Sequence, residues 1–126
     1  MIRGVRGATT INENEEKEII AATEHLLRKM IEENNIKPDA VTSVFISVTT
    51  DITAAFPAKA LRLIDGWTYV PVMCMTEIPV PSTLEKCIRI MMHVNTNVRQ
   101  DKVNHIYLGG AISLRPDLQN GVNTVN

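Results

Sequence analysis

Few of the features that announce a specialised chain are present. The 126 residues include two cysteines, one tryptophan, two tyrosines and two phenylalanines. Cys74 and Cys87 form no CxxC pair, and neither an HExxH motif nor a Cys/His cluster at metal spacing occurs. Metal catalysis is therefore disfavoured, and in a cytosolic chain both cysteines are expected as free thiols. Thirteen basic and 14 acidic residues leave a net charge of −1, too little to draw nucleic acid or an anionic membrane. No apolar run approaches the roughly 20 residues of a membrane helix. The opening MIRGVRGATT lacks the apolar stretch of a secretory signal, so a cytoplasmic location is expected. No glycine-rich phosphate loop follows a strand, since Gly4-Val5-Arg6-Gly7 is too short, and no serine or cysteine sits in a nucleophile motif. If the chain is an enzyme, it is expected to act by positioning and electrostatics, with no covalent intermediate.

What is present suits a single globular domain, taken as residues 1–117, with an Asn-rich tail over 118–126 expected to be mobile. Hydrophobic residues make up 44% of the chain and charged residues 21%, enough apolar surface for a core without disulfides or metal. Ile2 to Thr9 reads as a strand, with Arg3 and Val5 on one side, Gly4 and Arg6 on the other, and glycines that admit a close backbone neighbour. Asn12 or Asn14 can cap a helix whose Ile19, Ile20, Thr23, Leu26, Leu27, Met30 and Ile31 form one apolar stripe, ending near Asn34 and Asn35. Val41 to Thr49 is β-branched, with Val44, Ile46 and Val48 on one side. Phe56 to Ile64 reads as a short helix, begun by Pro57 and stopped by Gly66.

Trp67 to Met75 is expected to be extended, with Pro71 marking a sheet edge. Ile78-Pro79-Val80-Pro81 must be a loop. Ser82 and Glu85 could open a helix by a capping box. From Cys87, however, Ile88, Ile90, Met92 and Val94 alternate with Arg89, Met91, His93 and Asn95, and that period of two argues for a strand. Arg99 to Lys102 reads as a charged turn, and His105 to Leu108 as a last strand stopped by Gly109-Gly110. The expected class is α+β: a single mixed β-sheet of about five strands with one long and one short helix. Two helices cannot cover both faces of such a sheet, which points to oligomerisation.

The arginines are the unusual feature. Arg6 lies in a glycine-flanked strand, and Arg89 lies between Ile88 and Ile90. A guanidinium there needs an anion, because a buried unpaired charge is costly. A structural ion pair with an acidic residue would satisfy it as well as a ligand would. Lys59 and Arg62 share a face of the short helix and read most simply as solvated surface. Glu77 ends an apolar stretch and could pair with an arginine. Cys74 has no histidine nearby to activate it, and Tyr107 reads as half-buried packing with its hydroxyl tied to a partner.

Five strings in order, RGVRGATT, FPAKALR, GWTYVPVMCMTEI, KCIRIMMHVNT and HIYLGGAISLRPDL, resemble the monofunctional chorismate mutases of the trimeric, mixed-sheet class. The resemblance runs from Ile2 to Asp117. It implies a homotrimer forming a pseudo-α/β barrel, with active sites in clefts between subunits, no cofactor and no metal. The implied substrate is a small dicarboxylate, chorismate, rearranged to prephenate in aromatic amino-acid biosynthesis. By the same resemblance Arg6 and Tyr107 bind the enolpyruvyl carboxylate, and Arg89 reaches that region and the ether oxygen. Glu77, with Cys74 beside it, takes the substrate hydroxyl, while Phe56, Ala58 and Val72 line the pocket. Lys59 and Arg62 lie at its mouth, and Leu114 and Arg115 near the C-terminal segment. Met73 stands where the family often has a small polar residue. A trimeric small-molecule-binding or imine-hydrolysing protein on a related fold is the other reading. It would use an interface arginine for a carboxylate, but leaves the pattern of Glu77, Cys74 and Tyr107 unexplained.

Overall fold

A computed structural model describes residues 1–114. Arg115 and the tail 118–126 therefore lie outside the described residues. Five strands, β1 (Ile2–Thr10), β2 (Val41–Val48), β3 (Val72–Thr76), β4 (Cys87–Asn95) and β5 (Ile106–Tyr107), form one sheet in the order β3-β2-β4-β1-β5. β4 is antiparallel to both β1 and β2, whereas β3 and β5 join the edges in parallel, so the sheet is mixed. With the helix α1 (Glu16–Asn34) on one face the class is α+β, as expected.

The apolar stripe of α1 closes that face. Ile19, Thr23, Leu26, Leu27 and Met30 are fully buried. They meet Val5 of β1, Val44 and Ile46 of β2, and Ile88, Ile90, Met92 and Val94 of β4, the alternate residues of three adjacent strands. Gly7 faces the helix too. A Cβ there would lie 2.5 Å from the Met30 sulfur and 3.1 Å from Leu26, so glycine is what lets α1 settle this low on β1. The close neighbours at Gly7 are thus side chains, not the backbone expected from the glycine spacing. α1 stops at Asn35, which takes the left-handed conformation (φ 49°) that asparagine tolerates best after glycine.

Two local expectations give way, the asparagine cap of α1 and the extended reading of Trp67 to Pro71, and two others are refined. Neither Asn12 nor Asn14 caps α1; Glu15 holds that position without a side-chain bond. The Asn14 carboxamide instead accepts from the backbone N–H groups of Thr53 and Ala54, at 2.9 and 3.0 Å, a long-range tie that outcompetes the local one. The short helix is a 3₁₀ helix, Pro57–Leu63. Trp67 to Pro71 is turn, not strand: Trp67 donates to the Ile64 carbonyl and Val70 to that of Trp67. Burial of Trp67 and Val70 in the core drives that folding back, and β3 begins only at Val72. Residues 82–86 form no helix, because Ser82 and Lys86 both have positive φ. The strand reading of the following segment holds, with β4 at the centre of the sheet.

Candidate active site

The face of the sheet turned away from α1 carries the remaining alternate residues. Register places Met75, Ser47, Arg89, Ala8 and Tyr107 in one row across all five strands. A parallel row holds Met73, Phe45, Met91 and Arg6. Both arginines thus stand on the uncovered face, each put there by the period of two that buries its neighbours.

Arg6, Glu77, Arg89 and Tyr107 line one cavity of about 340 Å³, together with Phe45, Ser47 and other residues of this face. That lies within the roughly 300–1,000 Å³ usual for small-molecule sites. The Arg89 Nη1 donates to Glu77 Oε2 in an ion pair across the loop that joins β3 to β4. Glu77 Oε1 accepts from the Ile78 N–H at 2.9 Å. That backbone bond, and then the Arg89 guanidinium, hold the Glu77 carboxyl below its ordinary value. Glu77 is therefore an acceptor at neutral pH, suited to a hydroxyl. Arg6 forms no ion pair among the described residues; its backbone N–H donates to His105 Nδ1 at 2.9 Å. Its side chain lines the cavity.

Phe56, Lys59 and Cys74 lie in a second cavity, of about 520 Å³, on the far side of the edge strand β3. Among the described residues only Met75 lines both cavities. Lys59 Nζ pairs with Glu16 Oε2 at 2.7 Å. Burial pushes the Cys74 thiol up, against the opposing effect of the Ala58 N–H beside it. Cys74 is thus a neutral, weakly donating group and not a nucleophile. Val72 packs against the core, Met73 is 61% exposed on the open face, and Arg62 and Leu114 are exposed and line neither cavity. Both cysteines are free. Among the described residues no group of three metal-ligating side chains occurs, and no helix is long and apolar enough to cross a membrane.

Within one chain, then, the candidates divide into an arginine half and a cysteine half. Sequence reasoning overlooked Phe45 and Ser47 in the first half. Their signal was available, since they fall on the side of β2 opposite Val44 and Ile46.

Fold and site together define a mixed-sheet α+β protein that gathers two arginines and one carboxylate in a small-molecule-sized cavity on its open face. The chorismate mutase type I family model matches residues 2–118. Chorismate mutase AroH of Bacillus subtilis (strain 168) is 52% identical over 124 residues, 98% of each chain. Chorismate mutase AroH of Thermus thermophilus is 45% identical over 120 residues, 94% of this chain and 98% of that one. A solved chorismate mutase from Clostridium thermocellum has the same fold, with a TM-score of 0.85 at 49% identity, over 87% of this chain and 97% of that one. The chain belongs to the chorismate mutase type I family.

Proposed function

We propose that the chain rearranges chorismate to prephenate by restraining the substrate and stabilising charge, in sites between the subunits of a cytoplasmic homotrimer and without a cofactor. Chorismate mutase activity, an isomerase reaction, comes to the chain with its family and its near-full-length relatives. The residue roles and the homotrimer are what the family resemblance implies, and we adopt them because the geometry of one chain is compatible with them. The observation that carries it is the convergence of Arg6, Arg89, Glu77 and Tyr107 in one cavity on the uncovered face.

The reaction is intramolecular: one C–O bond breaks as one C–C bond forms, and the ether oxygen becomes negative on the way. No proton or electron needs to be exchanged with the protein. Arg6 and Tyr107 hold the enolpyruvyl carboxylate, and Glu77 accepts from the ring hydroxyl. These contacts hold the folded conformer, a modest gain because the reacting ends are already joined. Arg89 meets charge present only in the transition state, and such a preorganised donor contributes about 3–4 kcal/mol. Its planar fork addresses carboxylate and ether oxygen together, which a lysine cannot. Arg89 leaves its bond to Glu77 partly or wholly when substrate enters, freeing the carboxylate for the hydroxyl.

Separation of the two halves supports the shared site. Phe56, Lys59 and Cys74 line a different cavity from Arg6 and Arg89 of the same chain, with Met75 of β3 between the two. A second copy that brings its β3 edge to this face completes the site and covers Phe45, Met73 and Met75, which are 38%, 61% and 41% exposed. Arg62 and Leu114 take their places at its rim. Mixing purified protein with chorismate and following its ultraviolet absorbance tests the activity; loss of the signal with prephenate formed is expected. Light scattering at three chain masses is expected for the assembly, and a monomer that turns over at full rate would contradict the shared site.

A further inference from the structure

We infer that Asp51, acting through Thr49, is a positioning residue that sets Arg89 against Glu77. The inference rests on the functional reading above and names a group outside both cavities that line the site. Arg89 and Glu77 flank the loop 77–86, and the turn that follows β2 grips both of its ends. On the outgoing side the Glu77 N–H donates to the Val48 carbonyl at 2.8 Å. On the returning side the Cys87 N–H donates to Thr49 Oγ1 at 2.9 Å, and the Thr49 N–H donates to the Cys87 carbonyl at 3.1 Å. Asp51 anchors this bracket. Its Oδ1 accepts the Thr49 hydroxyl at 2.5 Å, and both of its oxygens accept the Lys86 N–H, at 3.1 and 2.9 Å.

Lys86 needs that hold. Its φ of 46° is a left-handed conformation that a lysine rarely adopts, and it sits immediately before β4. Arg89 follows three residues later in a strand paired on both sides, so the direction in which Lys86 releases the chain is carried to the guanidinium. Four residues, 48–51, thereby fix the spacing of two opposite charges that are 12 apart in sequence. Burial pushes the Asp51 carboxyl up, but the Thr49 hydroxyl, the backbone N–H groups of Lys86 and of Asp51 itself, and the Lys86 charge together outweigh it and keep the group below its ordinary value, hence charged at neutral pH.

The full-length protein with chorismate provides the kinetic test, each variant being assayed well below its own melting temperature. In Asp51→Ala and Thr49→Val kcat is expected to fall about 10–100-fold, the scale of an ångström-sized misplacement, with KM changed by less than about threefold. Thr49→Ser, which keeps the hydroxyl, is expected to restore wild-type kcat. Combined with Glu77→Gln, Asp51→Ala should lower the rate by less than the product of the separate losses. Wild-type kcat in folded Asp51→Ala and Thr49→Val, or fully multiplicative losses, overturns the inference. If Asp51→Ala does not fold, the Thr49 pair decides. A nuclear magnetic resonance titration of the Glu77 carboxyl decides independently of turnover. Its pKa should rise toward 4.5 in Asp51→Asn and Thr49→Val as the pair with Arg89 loosens. Removing the Asp51 charge by itself would move it down, so Thr49→Val, which keeps that charge, is decisive: an unchanged or lower value there overturns the inference. A wild-type chain inert toward chorismate would instead sink the functional reading.

Discussion

The two faces of the sheet are made from the same strands and do opposite things. Toward α1 the side chains of β1, β2 and β4 are Val5, Val44, Ile46, Ile88, Ile90, Met92 and Val94, all buried. Away from it the intervening residues are Arg6, Phe45, Ser47, Arg89 and Met91, lining a cavity. Along β4 the two sets differ by one position, so Ile88 and Ile90 are buried in the core while Arg89 between them stands in the open-face cavity beside Glu77. A single-residue slip would exchange the sets, which is why the pairing of β4 on both sides matters to function as well as to stability. The comparison teaches that the arginines need no special element. They need a well-closed opposite face.

Substitutions on each face can break or sharpen that division. Leu27→Ala, on the helix side, opens a cavity beneath a fully buried residue and should cost about 2–5 kcal/mol in denaturant unfolding. The folded fraction should keep the wild-type kcat. Glu77→Gln keeps the shape but removes the charge, a loss of about 1.5–3 kcal/mol for a hydrogen bond to a charged group, hence roughly 10–100-fold in kcat/KM. Its melting temperature should stay near that of the parent chain, since the Arg89 pair is partly exposed. Gly7→Ala, on the closed face, drives a methyl into Met30 and should destabilise by about 1–3 kcal/mol without changing KM.

The smallest effect is that of pH. The Glu77 pKa in the folded chain lies below its ordinary 4.5, so its ion pair stabilises fully above that value and fades as pH falls through the depressed one. Between pH 7 and pH 5 stability from this pair should not change. Below 4.5 the loss should stay under about 1 kcal/mol, because the pair is partly solvated. Thermal unfolding at stepped pH values, comparing the parent with Glu77→Gln, isolates it.

Much of this division was legible in the residues, and for a physical reason. Period-two alternation marked β4, and the 3.6-residue stripe marked α1, because burial on one side imposes those periods directly. Arg6 and Arg89 stood out as charges where the pattern allowed apolar residues. Other features depend on partners distant in sequence and leave no local trace. Asn14 has every property of a helix cap but is taken by Thr53 and Ala54. Trp67 to Pro71 has strand-like composition but folds back because Trp67 fills the core. The Arg89–Glu77 pair crosses a loop, and the part played by Asp51 depends on where that loop returns. Separation of Cys74 from the arginines by the edge strand is a property of topology, which no string of residues displays.

The central claim is that Arg89 stabilises charge formed in the transition state and does not merely bind substrate. The turnover of Arg89→Lys at saturating chorismate, with circular dichroism to establish an intact fold, tests it most directly. A kcat lower by about 10²–10³-fold, the usual cost of one such donor, with KM altered far less, is predicted. A folded Arg89→Lys whose kcat matches the wild type, or whose whole loss lies in KM, would contradict it.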